Sequence, residues 1–270
     1  MKAGDLTTLA NVKGWLNTGS ATFPATDDVL LGRMISAASR FVLTYLSRDI
    51  AATDYTVTVN GDDTQKIFPY QYPIIGVSAL SINGTAQQPA TMPPTRSGYA
   101  WDKESIFIYG FGFTRGFQNI TYTYSAGFQA AETTVIPNDN KFTIPVATLG
   151  RPWVNDRGVT RSINGIALVK VAAAPAIGQY AIVEQNGVMN YLFNATDAAN
   201  NPGIIITYGY CPEDLEQALI EMIGERYSVR ERIGQVSKSF GGEVISFSQK
   251  DFNDNNRDTF YQYRNVVPIP

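Results

Sequence analysis

The chain has 270 residues, of which 21 are Lys or Arg and 24 Asp or Glu, giving a net charge of −3, with no histidine and one cysteine. The missing histidine excludes Ser-His and Cys-His nucleophiles and His-ligated zinc or haem, and the lone thiol, Cys211, closes neither an internal disulfide nor a thiolate cage. Charged residues are 17% and hydrophobic residues 44%, a globular composition with ample core material and no basic surplus to attract nucleic acid.

The start, Met1-Lys-Ala-Gly-Asp-Leu, has no apolar stretch behind its charge, so no targeting segment is expected. No run approaches the roughly 18 apolar residues of a membrane span. The best candidate, Gly165 to Gly178, is interrupted by Lys170 and Pro175. Two helices are predicted in residues 1–50. Leu6, Leu9, Val12, Trp15 and Leu16 give the first its apolar face. The second, capped by Thr26 or Asp27, carries Leu30, Leu31, Met34, Ile35, Ala38, Phe41, Val42, Tyr45 and Leu46 at spacings of three and four, a stripe wide enough to be buried on more than one side.

From Tyr55 the period changes to two. Tyr55, Val57 and Val59 end at Asn60-Gly61, a hairpin signal. Ile67 to Pro69, Val77 to Ile82, Ile106 to Tyr109 and Asn119 to Tyr124 also predict strands, and the proline-rich stretch 85–98 predicts a loop. Residues 129–202 read as a separate β unit with strands at Ile144 to Thr148, Ile166 to Val171, Tyr180 to Val183 and Val188 to Phe193, and with no helical stripe. The strand before it, Asn119-Ile-Thr-Tyr-Thr-Tyr, and the one after it, Gly203-Ile-Ile-Ile-Thr-Tyr, end alike, as expected of a module inserted near a strand end.

Residues 212–233 give the clearest helix. Pro212 suits its first position, acidic Glu213, Asp214 and Glu216 lie near its start, and Arg226, Arg230 and Arg232 lie near its end, in dipole order. Leu215, Leu219, Met222, Ile223 and Tyr227 supply its apolar face, and Gly234 ends it. A short strand, Val244 to Phe247, and a last helix around Asp254 to Arg264 follow. The fold class is therefore α+β: a helical bundle with a β subdomain and an inserted all-β domain, divided as 1–128, 129–202 and 203–270. The acidic surplus lies wholly in 203–270.

Chemical motifs are few. Tyr109-Gly-Phe-Gly-Phe-Thr-Arg-Gly partly matches an RNA-binding strand, but Tyr109 stands where Lys or Arg belongs, and a twisted strand and turn with packed aromatics explains it as well. Asp251-Phe-Asn-Asp-Asn starts like a calcium loop, yet Asn256 and Gln262 replace the required Gly and Glu. Asp62-Asp63 suits a turn. Arg226, Arg230, Arg232 and Lys238 could touch phosphates, but the interleaved Glu225 and Glu231 favour a solvated, paired helix end. No carboxylate pair stands out for hydrolysis. No catalytic, cofactor-binding or metal-binding residue is expected.

Several segments, taken in order, resemble the head–tail adaptor (connector) proteins of tailed bacteriophages. At the front these are Leu6-Thr-Thr-Leu-Ala-Asn-Val-Lys-Gly-Trp-Leu, Asp27-Asp-Val-Leu-Leu-Gly-Arg-Met-Ile-Ser-Ala-Ala-Ser-Arg-Phe and Phe68-Pro-Tyr-Gln-Tyr-Pro-Ile-Ile-Gly-Val. At the back they are Pro212-Glu-Asp-Leu-Glu-Gln-Ala-Leu-Ile-Glu, Arg226-Tyr and Arg232-Ile-Gly-Gln-Val-Ser-Lys-Ser-Phe-Gly-Gly-Glu. The likeness covers 1–128 and 203–270. Within 129–202, Val171 to Tyr180 and Phe193 to Ala198 resemble a β cassette of assorted phage virion proteins.

The resemblance implies a structural protein of the virion neck, assembled in the host cytoplasm, without enzyme activity or cofactor. It implies a ring of identical subunits, usually a dodecamer, between the portal protein and a stopper or tail-terminator protein. Double-stranded DNA passes through the ring without sequence-specific contact, and no membrane is involved. On this reading Arg226, Tyr227, Arg230 and Arg232 are ring-interface candidates. Phe260, Tyr261, Tyr263 and Val266 are the anchors of a C-terminal arm that docks on the portal or the next ring, or else packs on its own subunit. The alternatives are a tail-completion or other ring-forming virion protein and a nucleic-acid-binding module.

Overall fold

The computed structural model describes residues 4–17, 25–91, 96–185, 188–200, 202–230, 237–240, 243–246 and 254–265. In chain order, α1 (Leu9–Leu16) and α2 (Asp28–Leu46) lead into β1 (Thr53–Gly61), β2 (Lys66–Ile67), β3 (Ile74–Ile82), β4 (Thr85–Ala86), β5 (Gly98–Trp101), β6 (Ile106–Tyr109) and β7 (Gly116–Ala126). Next come β8 (Gln129–Val135), β9 (Thr143–Pro145), β10 (Trp153–Arg161), β11 (Val169–Val171), β12 (Gln179–Gln185), β13 (Val188–Phe193), α3 (Ala195–Asn200) and β14 (Gly203–Tyr210). The chain continues with α4 (Glu213–Val229), β15 (Ser237–Phe240), β16 (Glu243–Ser246) and α5 (Asp254–Tyr263). Helices and several antiparallel sheets give the α+β class expected from the sequence.

One core is helical. Leu31, Ile35, Ala38, Val42 and Leu46 of α2 meet Leu215, Leu219, Met222 and Ile223 of α4, with Leu6 and Val12 at the front of the chain and Phe260 of α5. The Thr8 hydroxyl caps α1 by accepting from the Asn11 N–H at 3.2 Å. Asp27 holds the N-cap position of α2 but makes no side-chain cap bond; its carboxylate is engaged by α4 instead. Pro212 stands at the N-cap of α4 rather than inside it. A side chain at Gly224 would come within 3.3 Å of the Trp15 ring, so this glycine lets α1 lie close on α4. With its preceding turn, α2 spans Ala25–Leu46 and is long and apolar enough to cross a membrane by length and composition. The sequence reading expected no such run. Here the apolar stripe of α2 packs on the other helices.

A second core lies between two sheets. The sheet β1-β7-β3-β4 buries Val77, Leu80, Ile120, Tyr122 and Tyr124 against the small sheet β2-β6-β5, which contributes Ile106, Ile108 and Tyr99. The outward face of the larger sheet carries hydroxyls: Thr56 meets Thr123, and Thr58 meets Thr121, each pair at 3.0 Å.

The third core joins the sheets β10-β14-β8 and β11-β12-β13-β9. Trp153, Val159, Tyr180, Tyr191, Phe193, Ile204, Ile206 and Tyr208 fill it. The chain passes from β7 to β8 through Gly127 and Phe128 and returns along β14. At that junction the Phe128 carbonyl accepts from both Ala52 N–H and Tyr210 N–H, each at 3.1 Å. Strand β14, which the sequence assigns to the parent fold resuming at 203, is hydrogen-bonded on both sides to strands from 129–202. The sequence reading missed β4 and β5, which border or enter the stretch it assigned to a loop, and also β8, β10, β15 and the short helix α3; Asn60-Gly61, expected to turn a hairpin, lies within β1, which pairs with β7 instead.

Candidate functional site

The C-terminal helix presents a different surface from the one expected. Phe260 is 0% exposed and packs edge-on against Tyr45, with ring centroids 6.5 Å apart. The Tyr263 hydroxyl donates to both carboxylate oxygens of Asp214, at 2.7 and 2.8 Å, and its ring meets Phe128 edge-on. Asn265 ties the end of the helix to the Leu46 carbonyl through its N–H and to the Tyr70 carbonyl through its side chain, each at 2.8 Å. Phe260 and Tyr263, expected as anchors for a partner, are thus spent on their own subunit. An aromatic ring on a short helix is drawn to the nearest apolar stripe, and α2 and α4 supply one. Tyr261 is 59% exposed and remains available. Val266 lies outside the described residues.

The end of α4 is likewise engaged within the subunit. Arg226 lies over the Phe41 ring, 5.4 Å from its centroid. The Tyr227 hydroxyl donates to the Asp27 carboxylate. Arg230 covers the Tyr227 ring at 3.7 Å, donates to the Tyr227 carbonyl at 3.0 Å and approaches Asp27 at 3.6 Å. Arg232 lies outside the described residues. Three of the four ring-interface candidates therefore contact α2, Tyr227 and Arg230 at its start and Arg226 at the Phe41 ring further along.

The suspected chemical motifs resolve into structure. In the Tyr109–Gly116 run, Phe113 is fully buried and exchanges backbone hydrogen bonds with Asp63 and Thr64 at 2.9 and 2.8 Å, so its ring is closed to a nucleic-acid base. Asp62 accepts from Thr64, and Asp63 accepts from the Arg115 N–H at 2.8 Å, both as turn acceptors. The start of the calcium-like loop lies outside the described residues. Cys211 is buried, and that burial, reinforced by nearby Glu216 and Asp214, pushes its thiol well above the ordinary range.

Several polar residues that sequence reasoning passed over do structural work. Asp156, 5% exposed on its side chain, accepts from Tyr180 at 2.8 Å and Tyr191 at 3.1 Å and pairs with Lys170 at 2.9 Å. Trp153 donates to the same Tyr191 hydroxyl at 3.0 Å. Burial and the neighbouring Asp156 push both tyrosine hydroxyls far up. Asp197, also buried, is held by Arg161 at 2.5 Å and by the Gly178 N–H at 2.8 Å. Glu216, expected only to favour the α4 dipole, turns inward and accepts from Thr7 and Asn11 at 2.8 Å each. Arg48 lies buried with its guanidinium 4.1 Å from the centre of the Tyr72 ring, its Nε and Nη2 without hydrogen-bond partners. The contacts of Asp156, Asp197 and Glu216 are ordinary fold-stabilising ones, and none of these residues aligns a nucleophile with a base.

Several large apolar side chains remain on the surface. Phe68 and Tyr70 project from the loop before β3. Ile163, Ile166, Val169 and Ile177 are exposed along the turns around β11. Such side chains suit contacts with other proteins.

Among solved structures, the chain is similar to the neck of an empty GTA particle computed with C6 symmetry, at 12% identity and a TM-score of 0.43, over 98% of this chain and 93% of that one. It is similar to the neck of a native GTA particle computed with C12 symmetry, at 10% identity and a TM-score of 0.42, over 98% and 92%. A third similar structure is the virion of a native gene transfer agent (GTA) particle, at 12% identity and a TM-score of 0.42, over 98% and 93%. No curated protein matches the sequence. The model of the head completion protein family matches residues 5–142, just over half the chain and including all of the second core, and the chain belongs to that family of structural virion proteins.

Proposed function

We propose that this protein is a ring-forming adaptor of the virion neck. It sits beneath the portal, joins the capsid to the tail, and leaves a channel through which double-stranded DNA passes. The observation that carries this reading is the family match over residues 5–142. The low charge and the exposed apolar side chains support it, because a subunit covered by its own copies needs few charges outside. A channel without a basic surplus lets DNA slide, whereas a strongly basic one would hold it through counterion release.

In this proposal the ring is a dodecamer whose other partners are the portal and a stopper or tail-terminator protein. The protein assembles in the host cytoplasm and acts without catalysis or cofactor. Residues 1–128 and 203–270 form the adaptor and 129–202 the inserted β domain, with β14 as the seam. Arg226, Tyr227, Arg230 and Arg232 contribute to the interface with a neighbouring subunit. Tyr261 and Val266 carry what remains of the docking arm. Electron micrographs of capsids purified with and without the protein test the reading. Neck density matching a ring of its mass is expected only when it is present, and identical necks in both samples overturn the proposal. Binding to tail-tube protein but not to purified portal would favour a tail-completion role instead.

A further inference from the structure

We propose that copies of this chain join by strand addition, the open edge of β1 in one copy hydrogen-bonding to the open edge of β8 in the next. This deepens the ring reading and rests on it. The argument begins with the direction of backbone groups. Asn83 N–H donates to the Asn119 carbonyl, and Gly127 N–H donates to the Pro73 carbonyl. Odd-numbered residues of β7 therefore turn their backbone groups to β3, and even-numbered ones to β1. Opposite residues of an antiparallel pair share those bonds, so Tyr55, Val57 and Val59 are bonded to Tyr124, Tyr122 and Ile120. Asp54, Thr56 and Thr58 turn their N–H and C=O groups outward.

The same logic applies to β8. Tyr210 N–H donates to the Phe128 carbonyl and Ile136 N–H to the Pro202 carbonyl, so even-numbered residues face β14. Gln129, Ala131, Thr133 and Val135 face outward. Among the described residues, β1 pairs only with β7, and β8 only with β14.

In the same two sheets the opposite edges, at β3 and β10, are occupied; β2, β9 and β11 also pair on one side only among the described residues, but over just two or three residues. The far edge of β3 is taken by β4, by Gln87 N–H on the Leu80 carbonyl and by Ile74 N–H on the Lys103 carbonyl. The far edge of β10 is taken at Val159 and Arg161 by Leu168 and Ile166. Neither 54–58 nor 129–135 contains a proline, a lysine or a bulge, and the one charge in each, Asp54 and Glu132, is tied down within the subunit, to Arg157 and to Tyr208 and the Gly150 N–H. Thr56, Thr58, Ala131 and Thr133 are small and uncharged, so two strands can close to the roughly 4.8 Å sheet spacing.

The placement of the edges selects a second copy as the occupant. β7 and β8 form one run of chain. β1 lies on its even-numbered side, and the open edge of β8 lies on its odd-numbered side. A subunit with one open edge on each side carries two different, matching surfaces, the head-to-tail contact from which closed rings are built.

The test uses the full chain with Thr56→Cys and Thr133→Cys together, assembled into particles and treated with a short bis-maleimide. The native Cys211 is buried and stays silent. A ladder of covalent oligomers is expected from the double variant, none from either single variant, and dimers alone from a mixture of the two single variants. Dimers from Thr56→Cys by itself would mean like-with-like pairing and overturn the proposal. So would the absence of a ladder from particles whose rings are intact by microscopy, an outcome that leaves the ring reading standing. If the particles hold no ring, the ring reading falls and this inference with it. Thr56→Pro provides a second arm: it removes an outward N–H that the subunit does not use, so folding by circular dichroism is kept while self-association weakens about tenfold, the effect of one lost hydrogen bond.

Discussion

The burial of Phe260 makes the clearest quantitative prediction, because it separates an arm that reaches out from a helix that folds back. Replacing a fully buried phenylalanine with alanine costs about 3–5 kcal/mol. Phe260 sits on a short helix near the end of the chain, where neighbours can close over part of the space, so the lower end applies, about 3 kcal/mol. For a chain of this size that corresponds to a fall of roughly 6–12 °C in melting temperature. Calorimetry on the Phe260→Ala protein measures the fall. Hydrogen exchange adds the location: protection should drop in α5 and in the facing turns of α2 and α4, and stay unchanged in the β12 and β13 strands. Tyr261→Ala, at an exposed position, should move the melting temperature by about 2 °C or less. If Phe260→Ala left stability intact and abolished binding to the portal, the ring would have to be an anchor for a partner, and the packing argument would fail.

Other perturbations reach the remaining cores. Asp156→Ala strips the acceptor from two buried tyrosine hydroxyls and a lysine, and should destabilise the β10–β14 region by about 3 kcal/mol, read as a lower denaturant midpoint; no change would mean that water replaces the carboxylate. Glu216→Ala releases Thr7 and Asn11 and should expose residues 5–16 to limited proteolysis while α4 stays folded. Hydrogen bonding from Arg157, aided by Ser125, holds the Asp54 carboxyl below its ordinary value of 3.8. The stability it adds is present above that value and lost as pH falls through the lower, folded one. Because Asp54 is largely exposed, the Arg157→Gln protein should lose less than about 1 kcal/mol at neutral pH and show a flatter acid titration. Burial raises Tyr122 from 10.0 to about 12, so its contribution is intact below 10 and declines as pH climbs from there towards 12. Tyrosinate absorbance should therefore lag behind that of free tyrosine and then rise together with unfolding.

The sequence made the helices of the first core legible because their apolar residues recur at helical spacing and face one another. Strands β1, β3, β6, β7 and β13 were legible for the corresponding reason at period two. Strand β10 was not: Asp156 and Arg157 stand in the middle of Trp153–Arg161, and only the folded state supplies the Tyr180, Tyr191 and Lys170 that make a buried carboxylate tolerable. Strand β8, Gln-Ala-Ala-Glu-Thr-Thr-Val, hides for a similar reason, since Glu132 is held by Tyr208 and the Gly150 N–H. The aromatic residues of the last helix were visible, but their destination was not. Whether Phe260 faces a neighbour or its own core depends on where α2 and α4 leave an apolar opening, which no local pattern records.

The junction at Gly127 has a mechanical meaning. Its φ of +116° and the backbone of Ala51 within 2.8 Å of any added side chain reserve the position for glycine. On either side, β7 and β8 are gripped along their lengths by ladders to β1, β3 and β14. Tension along the strand loads each ladder in shear, with all its bonds resisting together, whereas a sideways pull opens them one at a time. The run from Gly116 to Val135 is therefore a single spar, stiff to stretching, whose one glycine turn is pinned by the hydrogen bonds of Gly127 and Phe128 to Pro73, Ile50, Ala52 and Tyr210.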